Sequence, residues 1–339
     1  MKTVGKFLLI SLVIYLSITV VLITTNRPTE LVADGMNFEA LTRIDYESMP
    51  DLHPYITRDG SELAYRFYKS NVETENVLIL LHGSGWHGMQ FHPLAEAISA
   101  SGAAHIFVPD LRGHGFNPKQ RGDVAYIGQL ENDVADLIGV IKVQFPNAKI
   151  IVGGHSSGGG LAIRFAGGEH GNLADGYLLL APFLEYNAPT TQPNSGGWAR
   201  PLTRRIIGLT MLNNIGIRWF NHLTVIQFNM PQSVLDGALG HTATTAYSYR
   251  LNSSFAPRSN VGRDLAAMNQ PFLLVAGLED ESFIAEQYEP TISQHTESGE
   301  YMLLPDTGHI DLLTTPQLAS IVTAWLNVSR IGNPTRIGE

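Results

Sequence analysis

The chain has no cysteine among its 339 residues, which excludes disulfide bonds, thiolate metal sites and a cysteine nucleophile. Basic residues are also scarce: 22 Lys and Arg stand against 31 Asp and Glu, for a net charge of −9. This balance argues against nucleic acid as a partner. There is no internal repeat and no low-complexity segment. With 44% hydrophobic residues, the chain can bury one large core or one domain with an insertion.

The N-terminus differs in kind from the rest of the chain. Lys2 and Lys6 precede an uncharged stretch from Phe7 to Thr25, rich in Leu, Ile and Val. A helix of this length nearly spans the ~30 Å hydrocarbon core of a bilayer. We therefore expect residues 1–27 to form an uncleaved membrane anchor that contacts the membrane through residues 7–25. The alternative is a signal peptide, although no typical cleavage site follows the apolar run.

The same segment predicts an orientation. Because Lys2 and Lys6 lie before the helix and only Arg27 follows it closely, the positive-inside rule places the N-terminus in the cytoplasm. The main domain would then lie on the outer side, periplasmic or extracellular. If the segment is a cleaved signal peptide instead, the protein would be secreted.

After a polar linker over residues 28–50, apolar strands and amphipathic helices alternate. The alternation stops over 185–268, which is too long for a connection and too apolar for a disordered loop. We expect an α/β core over 51–184 and 269–332, with a mostly parallel central sheet and helices on both faces. The interruption is expected to be a helical cap over the carboxyl ends of the strands, where ligands bind in open α/β sheets.

Hydrophobic periodicity places the individual elements. Asp59-Gly60 is the expected turn of a hairpin that precedes the core. Helices are expected at 94–98, 127–145, 282–295 and 316–328. The expected core strands are Val77 to Leu81, His105 to Val108, Lys149 to Val152, Tyr177 to Leu180, Phe272 to Val275 and Tyr301 to Leu304.

The most informative motif is Gly154-His155-Ser156-Ser157-Gly158, which follows a β-branched apolar run and precedes a helical pattern. A strand, a tight turn with serine and a helix form a nucleophile elbow. The two glycines let the strand and the helix approach closely. The hydroxyl of Ser156 would lie at the helix N-terminus, where backbone N–H groups favour developing negative charge. We predict Ser156 as a nucleophile.

A serine hydroxyl is a weak nucleophile, so it needs a base that is oriented by a carboxylate. In folds with this elbow the acid and then the base follow the serine along the chain. Asp280 follows an apolar strand and a glycine turn, and it is the predicted acid; Glu279 and Glu281 remain open alternatives. His309, in the loop after the last strand, is the predicted base.

Other candidates for these roles are weaker. His155 flanks the nucleophile, but an elbow points that side chain elsewhere, so packing is expected. His82 is expected to stabilise its loop, and His105 and His114 are expected to be structural. Asp306 is too close in sequence to the predicted base to orient its far side easily, and it stays a lesser alternative.

The chemistry also needs an oxyanion hole, in which each backbone donor is worth about 3–4 kcal/mol of barrier. The N–H of Ser157 is one predicted donor. The N–H of Ser84, in the loop after an early strand, is the other. Trp86 and His87 follow this loop and are predicted to border the substrate, or else to cover the edge of the core. No metal and no organic cofactor is needed.

These motifs together resemble the α/β-hydrolase superfamily, in the branch of monoacylglycerol lipases, lysophospholipases and serine aminopeptidase-like hydrolases. The resemblance covers about residues 50 to 330 apart from the cap, and it is specific for the fold and the triad but not for the substrate. Gly88 and Phe91 depart from the serine and tyrosine that often follow the oxyanion loop in such enzymes. The residues that carry the resemblance are His82-Gly83-Ser84-Gly85-Trp86-His87, Asp110-Leu111-Arg112-Gly113-His114-Gly115, Gly154-His155-Ser156-Ser157-Gly158-Gly159 and Gly308-His309.

By this resemblance Ser156 is the nucleophile, Asp280 the acid and His309 the base, while the Ser84 and Ser157 amides form the oxyanion hole. The favoured function is a membrane-anchored serine hydrolase that cleaves lipid-like esters, monoacylglycerol or lysophospholipid, through an acyl-enzyme. The same triad acting on amides, peptides or lactones, or as an acyltransferase, remains open. A membrane-tethered binding protein on an inactive hydrolase scaffold is disfavoured by the intact triad order.

Overall fold

The computed structural model describes residues 2–30, 36–116 and 118–328. Its strands are β1 Leu52–Ile56, β2 Glu62–Tyr68, β3 Asn76–Leu81, β4 His105–Asp110, β5 Lys149–His155, β6 Gly176–Leu180, β7 Ala199–Pro201, β8 Thr224–Phe228, β9 Ala246–Ser248, β10 Phe272–Gly277 and β11 Gly299–Leu304. Its helices are α1 Lys2–Thr24, α2 Glu39–Thr42, α3 His92–Ala100, α4 Gln129–Gln144, α5 Ser157–Ala166, α6 Thr203–Asn214, α7 Gln232–Leu235, α8 Tyr249–Phe255, α9 Val261–Ala267, α10 Tyr288–Ile292 and α11 Pro316–Val328.

The described residues build one eight-stranded sheet in the order β1-β2-β4-β3-β5-β6-β10-β11. β2 pairs antiparallel with β1 and β4, and the remaining pairs are parallel. The central parallel strands are buried along nearly their whole length, which is why they read as continuous apolar runs in the sequence. Helices pack in two groups, α3 with α11 and α5 with α4, α8 and α9. This arrangement confirms the expected α/β-hydrolase architecture.

The cap region, expected to be helical, also contains strands. β7, β8 and β9 form a three-stranded antiparallel sheet within the described residues. Helix α6 accounts for the first part of the apolar run in this region, but the chain leaves the helix at Ile215. The N–H of Ile217 bonds back to the carbonyl of Leu212 at 2.9 Å, and Gly216 takes the left-handed φ of +83° that such a helix end requires.

Helix α1 packs against the cap helix α6. Its Tyr15 hydroxyl donates to the carbonyl of Met211 at 2.7 Å, and Arg205 Nε donates to the carbonyl of Ile23 at 3.1 Å. Within the described part of the chain, Thr3–Thr24 is the helix that is long and apolar enough to cross a membrane, with a mean hydropathy of 2.7. Its C-terminal half is therefore attached to the cap, while most of its surface stays exposed.

The segment after α1 differs from the polar linker that the sequence predicts. Met36, Phe38 and Leu41 are 5%, 4% and 3% exposed, and all three belong to the main hydrophobic core. The polar residues between them stay exposed to solvent. The few apolar side chains therefore determine how this mostly polar stretch packs on the core. Residues 36–42, called the strap below, lie close to the carboxyl ends of the central strands.

Candidate active site

Ser156 lies in the sharp turn between β5 and α5, with φ 56° and ψ −120°. Side-chain-bearing residues rarely adopt this conformation, and it is held here by the bond from the Ser156 N–H to the carbonyl of Leu180 at 2.9 Å. The neighbouring glycines are required by close approach. A Cβ on Gly158 would lie 2.0 Å from the carbonyl oxygen of Leu81, and one on Gly154 would lie 2.2 Å from the carbonyl carbon of Gly158. The strand-turn-helix predicted from the sequence is therefore present.

Asp280 lies just beyond β10 and is 4% exposed. Its Oδ1 accepts the N–H groups of Ser282 and Phe283, both at 2.8 Å. Its Oδ2 lies 2.7 Å from Nδ1 of His309. Because a carboxylate accepts only, Nδ1 carries the proton of a neutral His309 ring and Nε2 is left as the basic nitrogen. Among the described residues Nε2 has no hydrogen-bond partner, and His309 lines a cavity together with Ser156.

The two acidic neighbours of Asp280 occupy different places. Oε2 of Glu281 accepts the backbone N–H of His309 at 2.9 Å, so this carboxylate fixes the loop rather than the ring. Glu279 is exposed to solvent. Of the three acidic candidates, Asp280 is the one that contacts the imidazole.

His155 packs on His309 instead of acting beside it as a second base. The ring centroids are 4.4 Å apart, and Nε2 of His155 donates to the carbonyl of His309 at 3.1 Å. Burial, with the neighbouring His309 ring as a second cause, holds the pKa of His155 well below its usual range. His155 is therefore a neutral ring that supports the position of His309, in line with the packing role expected for it.

The loop after β3 lies directly against Ser156. A Cβ on Gly83 would lie 3.2 Å from Cβ of Ser156, which places Ser84 beside it. The cap holds this loop, since Trp198 Nε1 donates to Ser84 Oγ at 3.1 Å and the Gly85 N–H donates to the hydroxyl of Tyr247 at 2.8 Å. Ser157 begins α5, and it lines the same cavity as Ser84 and Ser156.

Two cavities meet at Ser156, and Ser84 and Trp198 line both of them. The larger, of about 80 Å³, is mainly apolar, and the smaller has a volume of about 10 Å³. A more open groove of about 730 Å³ lies at the loop after β4, but none of Ser156, Asp280 and His309 lines it. The larger cavity at Ser156 is lined by Phe183, Ile226, Phe228, Phe255 and Phe283, and the smaller by Met36, Phe38, Trp86, His309 and Ile310.

The sequence profile of the serine aminopeptidase S33 family matches residues 72–289. The chain belongs to this family. Human monoglyceride lipase is 24% identical over 243 residues, which cover 70% of this chain and 75% of that lipase. A monoacylglycerol lipase from Mycolicibacterium smegmatis is 26% identical over 113 residues, or 33% of this chain and 40% of its own length. These matches confirm the expected monoglyceride-lipase-like branch and the serine hydrolase class of the esterase and lipase type.

Solved structures show the same fold. A soluble variant of the monoglyceride lipase from Saccharomyces cerevisiae, in complex with a substrate analogue, has a TM-score of 0.64 at 19% identity and covers 84% of this chain and 97% of its own. A membrane phospholipase A, described as a bacterial virulence factor, has a TM-score of 0.54 at 16% identity. It covers 96% of this chain and 98% of its own. The S33 core thus has the α/β-hydrolase fold.

The structure separates the two predicted substrate-binding residues of this S33 hydrolase. Trp86 lines the smaller cavity. His87 lines neither cavity at Ser156, because its ring stacks on Trp86 at 4.7 Å and its Nε2 lies 2.8 Å from Oγ1 of Thr242 in the cap. His87 is fully buried and joins the core to the cap.

The remaining histidines take structural positions. His82 Nδ1 bonds the carbonyl of Gly83 at 2.8 Å, and its Nε2 accepts the N–H of Leu111 at 3.1 Å. His105 Nδ1 accepts the N–H of Ser70 at 3.1 Å. His114 joins core and cap through Tyr247. These contacts account for the loop-stabilising and structural roles that the sequence predicts.

Sequence reasoning missed Met36, Phe38 and Trp198 at the site. Trp198 follows two glycines in the cap, and this local sequence carries no sign of the site. Met36, Phe38 and Leu41 are spaced by two and then three positions, which fits neither a helical nor a strand period. The sequence therefore gives no sign that these side chains share a buried surface or of which surface they would cover.

Proposed function

We propose that this S33 hydrolase cleaves carboxylic esters of lipid-like substrates through a triad of Ser156, His309 and Asp280. The observation that carries the proposal is the buried 2.7 Å contact between Asp280 Oδ2 and His309 Nδ1, beside a strained Ser156. This arrangement leaves the second ring nitrogen of His309 free to accept a proton in the cavity that Ser156 shares.

In the first step Nε2 of His309 takes the proton of the Ser156 hydroxyl while Oγ attacks the ester carbonyl carbon. Asp280 stabilises the imidazolium that forms. The carbonyl oxygen becomes an oxyanion, and the backbone N–H groups of Ser84 and Ser157 are the proposed donors to it. The tetrahedral intermediate then expels the alcohol, which takes the proton back from His309. Water, deprotonated by His309, attacks the carbonyl carbon of the acyl-enzyme. The bond to Ser156 Oγ then breaks, Oγ takes the proton from His309, and the acid is released.

The substrate class is supported by the larger cavity. Its aromatic and aliphatic lining suits an acyl chain, and it opens directly beside Ser156 and Ser157. The relatives of this chain include proteins named as monoglyceride and monoacylglycerol lipases. We infer that the substrate is a single-chain lipid ester, a monoacylglycerol or a lysophospholipid.

We further propose that α1 anchors the enzyme in a membrane, with the N-terminus cytoplasmic and the catalytic domain outside. The apolar surface of Thr3–Thr24 and the lysines at positions 2 and 6 support this orientation. The absence of cysteine offers a clean test: single Thr3→Cys and Glu297→Cys variants in intact cells, treated with a membrane-impermeant maleimide. Labelling of position 297 alone is expected. Labelling of position 3 alone would show the opposite orientation, with the catalytic domain inside.

The enzymatic test uses the full chain in detergent micelles, because α1 is part of the packed structure. Hydrolysis of a monoacylglycerol, a lysophospholipid and a matched amide is measured for the parent and for Ser156→Ala. Loss of the nucleophile is expected to lower kcat by a factor on the order of 10⁶. Ser320→Ala, an exposed serine on α11, is the matched control and should behave as the parent does.

Two results would contradict the proposal. One is ester hydrolysis by Ser156→Ala at the rate of the parent, together with no fluorophosphonate labelling of Ser156 in the parent. The other is an amide cleaved faster than every ester of the same acyl chain, which would keep the triad but change the substrate class.

A further inference from the structure

The strap occupies one side of the site and comes from outside the region that the S33 profile matches, residues 72–289. The ring of Phe38 lies 5.3 Å from that of Trp198 and 6.2 Å from that of Trp86, by centroid distance. Met36 and Phe38 line the smaller cavity together with Ser156 and His309. A segment between anchor and core thus forms part of the wall around the nucleophile.

The two cavities can be assigned to the two halves of an ester. In the proposed mechanism, on which this inference rests, His309 returns its proton to the leaving alcohol. The alcohol must therefore lie on the side of Ser156 that His309 lines, which is the smaller cavity. His309 is not among the residues that line the larger cavity, where the acyl chain fits.

Space on the alcohol side is very limited. The cavity there measures about 10 Å³, roughly the volume that a single water probe occupies. Trp86, Trp198 and Phe38 enclose it from three segments of the chain. Phe38 is 4% exposed, so its ring is buried against these partners rather than lying loosely over them.

We propose that Met36 and Phe38 determine which alcohol the enzyme releases, by excluding bulky head groups from the side of the site that His309 lines. Esters of compact alcohols, glycerol included, need less displacement of this wall than esters of large alcohols. Esters of large alcohols, such as the glycerophosphocholine part of a lysophospholipid, require Phe38 to move. The strap therefore favours a monoacylglycerol over a lysophospholipid with the same acyl chain.

The test compares two substrates that share the octanoyl group, 1-octanoylglycerol and octanoyl lysophosphatidylcholine, with the full chain in detergent micelles. The quantity measured is the ratio of kcat/KM for the lysophospholipid to that for the monoacylglycerol. We expect Phe38→Ala to raise this ratio by about tenfold or more, the scale on which apolar pockets discriminate small changes in size. Phe38→Leu should give an intermediate rise.

Two control variants distinguish an effect of the cavity wall on the ratio from a general effect of lost packing. Leu41→Ala removes a side chain of the same strap that is 3% exposed but lines neither cavity at Ser156, and the ratio should stay at the parent value. Ile226→Ala enlarges the larger cavity alone. It should shift the preferred acyl chain length and leave the alcohol ratio as it is.

The outcomes distinguish this inference from the proposed function. An unchanged ratio in an active Phe38→Ala enzyme overturns the role of the strap and leaves the ester hydrolase standing. An equal shift in Leu41→Ala overturns it as well, because packing alone would then explain the effect. A parent that cleaves neither ester overturns both. If Phe38→Ala does not fold, as judged by circular dichroism, the Phe38→Leu ratio decides.

Discussion

The proposed catalytic centre and the cap of this hydrolase are held together by different kinds of contact. In the centre, Asp280 accepts two backbone N–H groups and contacts His309, all within 2.8 Å. In the cap, the ring of Trp198 lies 5.3 Å from those of both Phe38 and Phe228, and aromatic side chains such as these enclose the space at Ser156. The chemistry thus depends on backbone geometry, and the substrate space depends on side-chain packing.

This difference predicts how each region responds to mutation. A conservative change in the centre, such as a carboxylate to an amide, should reduce activity far more than stability, because it keeps the size of the buried side chain and most of its hydrogen bonds. A change in the cap or anchor should alter stability or selectivity and leave the chemical step nearly intact. A variant that did the reverse would break the comparison.

The largest effect is expected from Asp280→Asn. An amide in place of the carboxylate cannot stabilise the imidazolium and favours the wrong tautomer of His309, so kcat should fall by about 10⁴. The thermal midpoint should change little. Glu279→Gln, next to it in sequence but exposed, should stay within about twofold of the parent. An equal loss in Glu279→Gln would show that the acid has been misassigned.

The residues of the proposed centre could be picked out from the sequence because each of them follows the end of a strand. Ser156, Asp280 and His309 each follow a strand of one parallel sheet, so their loops meet at one edge. The steric need for Gly154 and Gly158 leaves a motif that can be read directly, since any side chain there would overlap backbone atoms. The sequence left Glu279, Asp280 and Glu281 as alternatives, and the distances to His309 distinguish them.

The cap and the strap could not be predicted in the same way. β7 and β9 have three residues each, too few for a period of two to be recognised. Phe38 contacts Trp86 and Trp198, which are distant in sequence, and an aromatic residue in a polar stretch carries no sign of its partner. His87 follows the oxyanion loop directly, yet its bond to Thr242 in the cap turns it away from the site.

A second effect concerns pH, since buried histidines join the core to the cap. His87 bonds Thr242 and His114 bonds the hydroxyl of Tyr247 at 2.7 Å. Burial, and secondly the neighbouring His82, hold the pKa of both rings well below their usual range. The folded state therefore binds fewer protons than the unfolded state below the unfolded pKa of about 6.5. Their stabilising contribution is complete above that pH and is lost as the pH falls below it.

Each of these rings should contribute up to about 1.4 kcal/mol of lost stability per pH unit below 6.5. The free energy of unfolding, from urea titrations at pH 7.5, 6.5 and 5.5, is expected to change little between pH 7.5 and 6.5 and to fall between pH 6.5 and 5.5. His87→Gln keeps a hydrogen-bonding group but cannot titrate, so it should reduce the slope. His222→Gln, at an exposed position, is the control. A slope that His87→Gln leaves unchanged would contradict this account.

A smaller effect is expected for Glu281, which positions His309 through its backbone. Glu281→Ala leaves the buried N–H of His309 without its acceptor, at a cost of about 1–3 kcal/mol. We expect kcat to fall about tenfold with little change in KM, because the substrate does not contact Glu281 in the proposed mechanism. Glu281→Gln restores an acceptor of the same length and should recover most of the activity. A rise in KM with kcat unchanged would instead assign Glu281 to substrate binding.

The smallest effect on catalysis should come from the contact between anchor and cap. A Cβ on Gly208 would lie 2.7 Å from Cγ1 of Ile23 and 3.1 Å from the carbonyl oxygen of Thr19. Gly208→Leu must therefore push α1 away from α6, and overpacking of this kind costs about 1–3 kcal/mol. The thermal midpoint of the full chain in micelles should fall, while kcat stays within about twofold of the parent.

Gly139→Leu is the matched control, because a Cβ there meets no atom within 4 Å on the surface of α4. It should leave the thermal midpoint unchanged or raise it slightly, since leucine favours a helix more than glycine does. If Gly208→Leu reduced kcat as strongly as Glu281→Ala, the anchor would be coupled to the catalytic centre through the cap. Packing between α1 and α6 would then affect catalysis as well as stability, and the distinction drawn between the centre and the cap would not hold for this contact.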